Sequence, residues 1–192
     1  MISYAQNFED VMLTRVFQGV KEGFYVDVGA WDPVYDSVTK HFYDIGWRGI
    51  NIEPHPGYFE KLLKARPRDI TLNCAVGKQE EVRAFYLLGE TGMSTLDPLL
   101  SEFFAAKAGL SEGQVQVRTL DSILEQAPGE IAFLKVDAEG WEEHVLASCN
   151  WSKHRPIVVV VEAIDPRDHA PTWGNWHESS KTMATSLSIS TA

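Results

Sequence analysis

The stretch GFYVDVGAWDP occupies residues 23–33. Its first half is a short apolar run, which predicts a strand buried on both faces. Its second half sets Asp27 beside Gly29, with Asp32 and Pro33 just after. A strand that only fills a core needs neither a carboxylate nor a bare backbone at its tip. A strand ending under a bound nucleotide uses both.

Outward from that strand the chain alternates. Residues 6–18 place Phe8, Val11, Met12 and Phe17 on one stripe, with Glu9, Asp10 and Arg15 elsewhere, which predicts an amphipathic helix starting near Asn7. After the opening stretch, a helix from about Asp36 carries Val38, Phe42 and Ile45, and Gly46 ends it. RGINIEP predicts a strand closed by Pro54, YFEKLLKA a helix and DITLNCAVG a third strand. In the middle, VRAFYLL reads as a strand, GETGMSTLDP as a loop, residues 99–108 as a short helix and QVQVRTL as a strand. LDSILEQ predicts a helix with Thr119 or Asp121 near its start. IAFLKVD, a helix over EGWEEHVLAS and the β-branched IVVVVEA then resume the first pattern. Such alternation predicts an α/β fold, a mostly parallel sheet with helices on both faces. The patterned domain is 1–165, and 166–192 is an atypical tail.

At 192 residues, with 44% apolar side chains, the chain is one domain able to bury its own core. Its 17 Lys+Arg against 27 Asp+Glu, a net charge of −10, argue against nucleic acid or an anionic membrane as partner. Cys74 and Cys149 fit neither a disulfide framework nor a metal knuckle and read as reduced thiols. MISYAQNFED lacks the basic and apolar regions of a signal peptide, and no run reaches the about 20 apolar residues of a membrane span. A cytoplasmic chain is expected.

In an open parallel sheet, ligands bind beyond the carboxyl ends of the strands, where strand order reverses. The expected tips are Asp27 to Ala30, Glu53-Pro54, Asn73 to Ala75, Asp137 to Glu139, and Glu162, and four of these five carry a carboxylate. Like charges in one crevice repel, so a fold built only for stability has little reason to gather them. Plainer readings stand beside this one. Asp27 can accept backbone N–H bonds of its own turn, and Gly29 can simply permit that turn. Glu53 can be an exposed acid before a proline. Glu142 and Glu143, with less force Asp137 and Glu139, can complement a helix N-terminus. Glu53 nevertheless lies about 20 residues beyond the glycine turn, where an acid bonds the hydroxyls of a ribose.

The turn is not the dinucleotide fingerprint, because Trp31 and Asp32 stand where further glycines are needed. A diphosphate wants those glycines. An adenosyl group without phosphate needs only the ribose acid, one glycine and an apolar slot. That composition fits S-adenosylmethionine, whose sulfonium suits an acidic crevice.

YVDVGAWDPVYDSVTKHFYDIGWRGINIEP, with FLKVDAEGWEEHVL later, resembles the FkbM-type family of S-adenosylmethionine-dependent methyltransferases. SYAQNFEDVML and RPIVVVVEA are similar to that family too, so the resemblance runs from Ser3 to Ala163. It implies a class I methyltransferase (Rossmann-like) fold and O-methylation of a sugar or other small hydroxylated acceptor. By position it implies that Asp27, Gly29 and Ala30 form the turn under the methionine half. Glu53 would take the ribose hydroxyls, and Asn73, Cys74 and Ala75 would border the adenine. Asp137 would face the methyl-bearing end. Gln6 and Ser37 would close over the methionine carboxylate, against plainer roles as helix-cap and helix-start residues. Met93 to Leu96 would line the acceptor side or form an ordinary surface turn.

An alcohol acceptor must lose a proton, and Asp137 is the first candidate base, with Glu139 or Glu162 behind it. His144 reads as a helix histidine rather than a catalyst. Asp137, Glu139 and Glu162 could together hold Mg²⁺, although nothing in their spacing requires a metal. The chain departs from the family at its end. Trp173 and Trp176 begin as relatives do, but HESSKTMATSLSISTA supplies neither strand of the expected antiparallel hairpin. The hairpin is therefore expected to be missing or altered, the tail poorly ordered, and IVVVV an exposed apolar edge. Two other function classes stay open. A non-catalytic cofactor-binding or interaction module would bind without transfer. A nicotinamide or nucleotide-sugar oxidoreductase is disfavoured by the missing glycines.

Overall fold

The computed structural model describes residues 1–89, 91–105, 109–168, 170–172, 174 and 187–191. In chain order the elements are α1 (Glu9–Val16), β1 (Phe24–Val28), α2 (Lys40–Asp44), β2 (Arg48–Ile52), α3 (Pro56–Ala65), β3 (Ile70–Leu72) and β4 (Ala75–Val76). Then follow β5 (Glu81–Leu88), α4 (Pro98–Ala105), β6 (Leu110–Arg118), α5 (Leu120–Leu124), β7 (Phe133–Val136), α6 (Glu142–Leu146), β8 (Val158–Glu162) and β9 (Leu187–Thr191).

The main sheet runs β3-β2-β1-β7-β8-β9, and each of its pairings is parallel. Strand order reverses between β1 and β7, as a doubly wound sheet requires. β1, β2, β7 and β8 are buried on both faces, which is why they read as mostly apolar runs. On one face Val26, Ile50, Leu134 and Val159 pack against Leu120 and Ile123 of α5 and Val145 and Leu146 of α6. On the other, Tyr25, Phe133, Val158 and Val160 meet Leu13 of α1, Phe17 just after it, and Phe42 and Tyr43 of α2.

Four local expectations need correction. The first helix is shorter and turned: Phe8 takes a left-handed φ of 63° and is exposed, while Glu9 and Asp10 are buried. Those acids fold the N-terminal segment back, Asp10 accepting from Ser3 Oγ (2.6 Å) and Tyr4 N (2.8 Å), and Glu9 from Asn7 N (3.0 Å). The second helix begins only at Lys40, and Ile45 is exposed because it lies past the helix end. DITLNCAVG is two strands, since β4 leaves the main sheet for a second one ordered β4-β6-β5. Asn73 pins the break, its Nδ2 donating to Glu53 O (2.9 Å) and Pro54 O (3.0 Å). Finally, the β8 edge is not bare. Leu187–Thr191 pairs with it in parallel, and its alternating Leu187, Ile189 and Thr191 suit a strand. Trp173, Trp176 and most of the expected tail lie outside the described residues. The start of α5 is settled in favour of Thr119, whose hydroxyl accepts from Ser122 N at 3.2 Å.

One buried cation organises the β1–β3 side. Arg66, 1% exposed, donates from Nη2 to Pro33 O (2.6 Å) and Ser37 Oγ (3.1 Å). Its Nη1 donates to Tyr25 Oη (3.3 Å) and Thr39 Oγ1 (3.4 Å). Asp69 lies 3.9 Å away and accepts from Tyr25 Oη (2.5 Å), Asn51 Nδ2 (2.8 Å) and Gly49 N (2.9 Å). Asp69 and these oxygen acceptors offset the guanidinium, so the charge is tolerated in the core.

Candidate active site

A cavity of about 270 Å³ opens at the carboxyl ends of the strands, across the β1–β7 reversal. Its floor is the turn after β1. Gly29 and Ala30 donate their N–H groups to Ile52 O (3.0 and 3.1 Å), which lashes the turn to β2. Gly29 has φ 72°, and a Cβ there would lie 1.8 Å from Asp137 O. The close approach of the β1 and β7 tips, not only the conformation of the turn, therefore demands glycine.

Glu53 projects from the tip of β2. Its Oε2 accepts from Trp31 N and its Oε1 from His55 N, each at 2.7 Å. It is 5% exposed, and burial pushes its carboxyl up to about 7 although those two N–H groups pull the other way. Opposite stands the second sheet with its loop: Ala75, Val76, Phe85 and Leu96 form an apolar wall, with Trp141 beside them. Thr95 Oγ1 donates to Glu139 O (2.9 Å) and ties that wall to the segment beyond β7.

The β7 side is acidic. Asp137 and Glu139 follow the strand, Glu162 ends β8, and all three line the cavity. Burial, then Asp137 and Glu142, raise the Glu139 carboxyl well above the ordinary carboxylate range. Burial followed by Asp137 and Glu139 raises Glu162 similarly. Glu142, 5% exposed, accepts at Oε1 from Ala138 N (2.8 Å) and Gly140 N (3.2 Å), and burial lifts it to about 7. Among them sits Lys135, whose Nζ donates to Gly29 O at 2.7 Å and lies 3.4 Å from Asp27 Oδ1 and 3.3 Å from Asp137 Oδ2. Burial disfavours its ammonium, but Asp137 and Asp27 outweigh that and raise its pKa.

Of the residues expected from the sequence, Gln6, Gly29, Ala30, Glu53, Cys74, Ala75, Asp137 and Glu139 line this cavity. Asp27, Ser37 and Asn73 do not. Asp27 is 1% exposed beneath the floor and accepts from Thr39 Oγ1 (2.9 Å). Ser37 serves Arg66, and Asn73 holds the chain at the β3–β4 break. Met93 to Leu96 line the cavity rather than forming a plain surface turn. Among the described residues, the three carboxylates whose oxygens come within 4.8 Å of one another are Asp137, Glu142 and Glu162, so Glu142 replaces Glu139 in the expected acidic trio. Sequence reasoning missed Lys135, Trp31, Phe85 and Trp141. Lys135 had a visible signal, as the lone cation inside the buried run IAFLKV.

A family model described as the methyltransferase FkbM domain matches residues 27–180. The chain belongs to the FkbM methyltransferase family. Family membership implies S-adenosylmethionine as the methyl donor. The crystal structure of methyltransferase FkbM from Methylobacillus flagellatus KT shares this fold, with a TM-score of 0.54 at 16% identity. The match covers 86% of this chain and 38% of that one, so this FkbM domain spans well under half the length of that relative. No curated protein matches the sequence. The residues present fit the donor: a buried carboxylate at the β2 tip, an apolar slot at β4, and an acidic β7 side for positive charge. Among the described residues, no helix is long and apolar enough to cross a membrane.

Proposed function

We propose that this domain binds S-adenosylmethionine in the cavity and methylates a hydroxyl of a sugar or other small metabolite. The observation that carries the reading is Glu53, buried at the β2 tip and facing, across the strand reversal, the acids that follow β7. Two backbone N–H groups fix the Glu53 carboxylate in place, and its remaining lone pairs suit the two hydroxyls of a ribose. The bound donor supplies an electrophilic methyl group on a sulfonium.

The protein's part is to position the acceptor and to remove its proton. Asp137 is held by Lys135 and serves best to orient the acceptor hydroxyl. Glu139, with its raised carboxyl, is the better-tuned base, because a base works best with a pKa near the operating pH. The reading draws on no metal. A divalent cation at Asp137, Glu142 and Glu162 would compete with Lys135 and with the backbone donors that Glu142 already serves. The acid excess and two unpaired thiols support the cytoplasmic placement and a small-molecule partner.

Calorimetric titration with S-adenosylmethionine tests the reading, with NADH as control. Saturable binding is expected, weakened about tenfold or more in Glu53→Ala. No binding by a chain shown to be folded would overturn it. Binding without transfer to any hydroxylated acceptor would instead favour a cofactor-binding module.

A further inference from the structure

Lys135 is the one Lys or Arg among the described residues lining the cavity, against Asp36, Glu53, Asp137, Glu139 and Glu162. We infer that Lys135 anchors the α-carboxylate of the donor's methionine half, with the Gln6 amide beside it. The inference rests on the proposed cofactor reading and adds a residue to it. The amino-acid end of S-adenosylmethionine carries one negative charge and two positive ones, the ammonium and the sulfonium. Acids around the cavity suit both positive groups, and among the described lining residues Lys135 is the one Lys or Arg able to offset the carboxylate.

The Lys135 ammonium has the capacity to accept such a guest. One of its three donors is committed to Gly29 O at 2.7 Å. Its contacts to Asp27 and Asp137, at 3.4 and 3.3 Å, exceed the usual N–H···O length of about 2.7–3.2 Å. They balance charge without saturating directed bonds. Gln6 and Lys135 also line a small cleft that adjoins the main cavity through Asp36, Asp137 and Glu162. Ser37, which the resemblance placed over this carboxylate, is buried against Arg66 and leaves the role to Lys135.

The test compares S-adenosylhomocysteine, which keeps the carboxylate, with methylthioadenosine, which lacks the amino-acid half. Wild-type protein is expected to bind the first more than tenfold tighter. Lys135→Met should lose at least that factor for S-adenosylhomocysteine while methylthioadenosine stays within about twofold. Equal loss for both ligands would make Lys135 a strut of the fold and overturn the inference. Equal binding of both by wild type would overturn it too, leaving the cofactor reading standing. Binding of neither ligand by folded wild type would overturn the cofactor reading, and this inference with it. If Lys135→Met does not fold, the ζ-ammonium NMR resonance of Lys135 in wild-type protein decides. A shift with S-adenosylhomocysteine and none with methylthioadenosine supports the anchor, and the same response to both sinks it.

Discussion

Two buried cations lie on the α2 face of one sheet and do opposite work. Arg66 donates from its two terminal nitrogens to Pro33, Ser37, Thr39 and Tyr25, faces Asp69, and does not line the cavity. Lys135 has one short bond and two long ion pairs, and opens into the cavity. A charge whose partners are all protein atoms holds a fold together. A charge left partly unsatisfied at a cavity wall has room for a ligand.

The comparison breaks most easily at Arg66. Arg66→Met should cost about 3–5 kcal/mol, because it strands the buried Asp69 without its cation and removes a donor from Thr39. Denaturant unfolding measures this, and a loss below about 1 kcal/mol would mean the network is not the keystone described.

Gly29→Ala comes next. It drives a methyl group into Asp137 O at a backbone angle that disfavours side chains, and should cost about 3 kcal/mol and donor affinity together. Affinity lost with full stability would place the need for glycine on the ligand instead of on β7.

The smallest effect is in pH dependence. Glu53 and Glu142 stand at about 7 in the fold against an ordinary 4.5. Between those values the folded state holds protons the unfolded state has released, so stability falls as pH rises through that window and levels off above it. Each group contributes up to about 3 kcal/mol across that window. Calorimetric melting of Glu53→Gln across that range should show a shallower slope than wild type, and a parallel slope would remove Glu53 from the account.

Legibility from sequence followed the same divide. β1, β2, β7 and β8 announced themselves because a strand covered on both sides is apolar throughout, and an acid at its tip then stands out. Glu53 and Asp137 were found that way. Arg66 was hidden, since an arginine ending an amphipathic helix looks like any solvated residue until its partners, from Tyr25 to Asp69, come together. Phe8 and Asp10 exchanged the expected outside and inside, because backbone donors in the preceding turn outbid helical periodicity. The β3–β4 division was equally unreadable: TLNCAV runs as one strand by composition, and only the Asn73 bonds to the β2 tip show the break.

That break has a further consequence. The wall of Ala75, Phe85 and Leu96 belongs to a separate sheet and its loop, which the chain enters from β3 through Asn73 and Cys74. Substitutions on β5 and β6 can change that wall while β1, β2 and their turn keep the same register. On the reading proposed above, a chain built this way can change its acceptor without changing how it holds its donor.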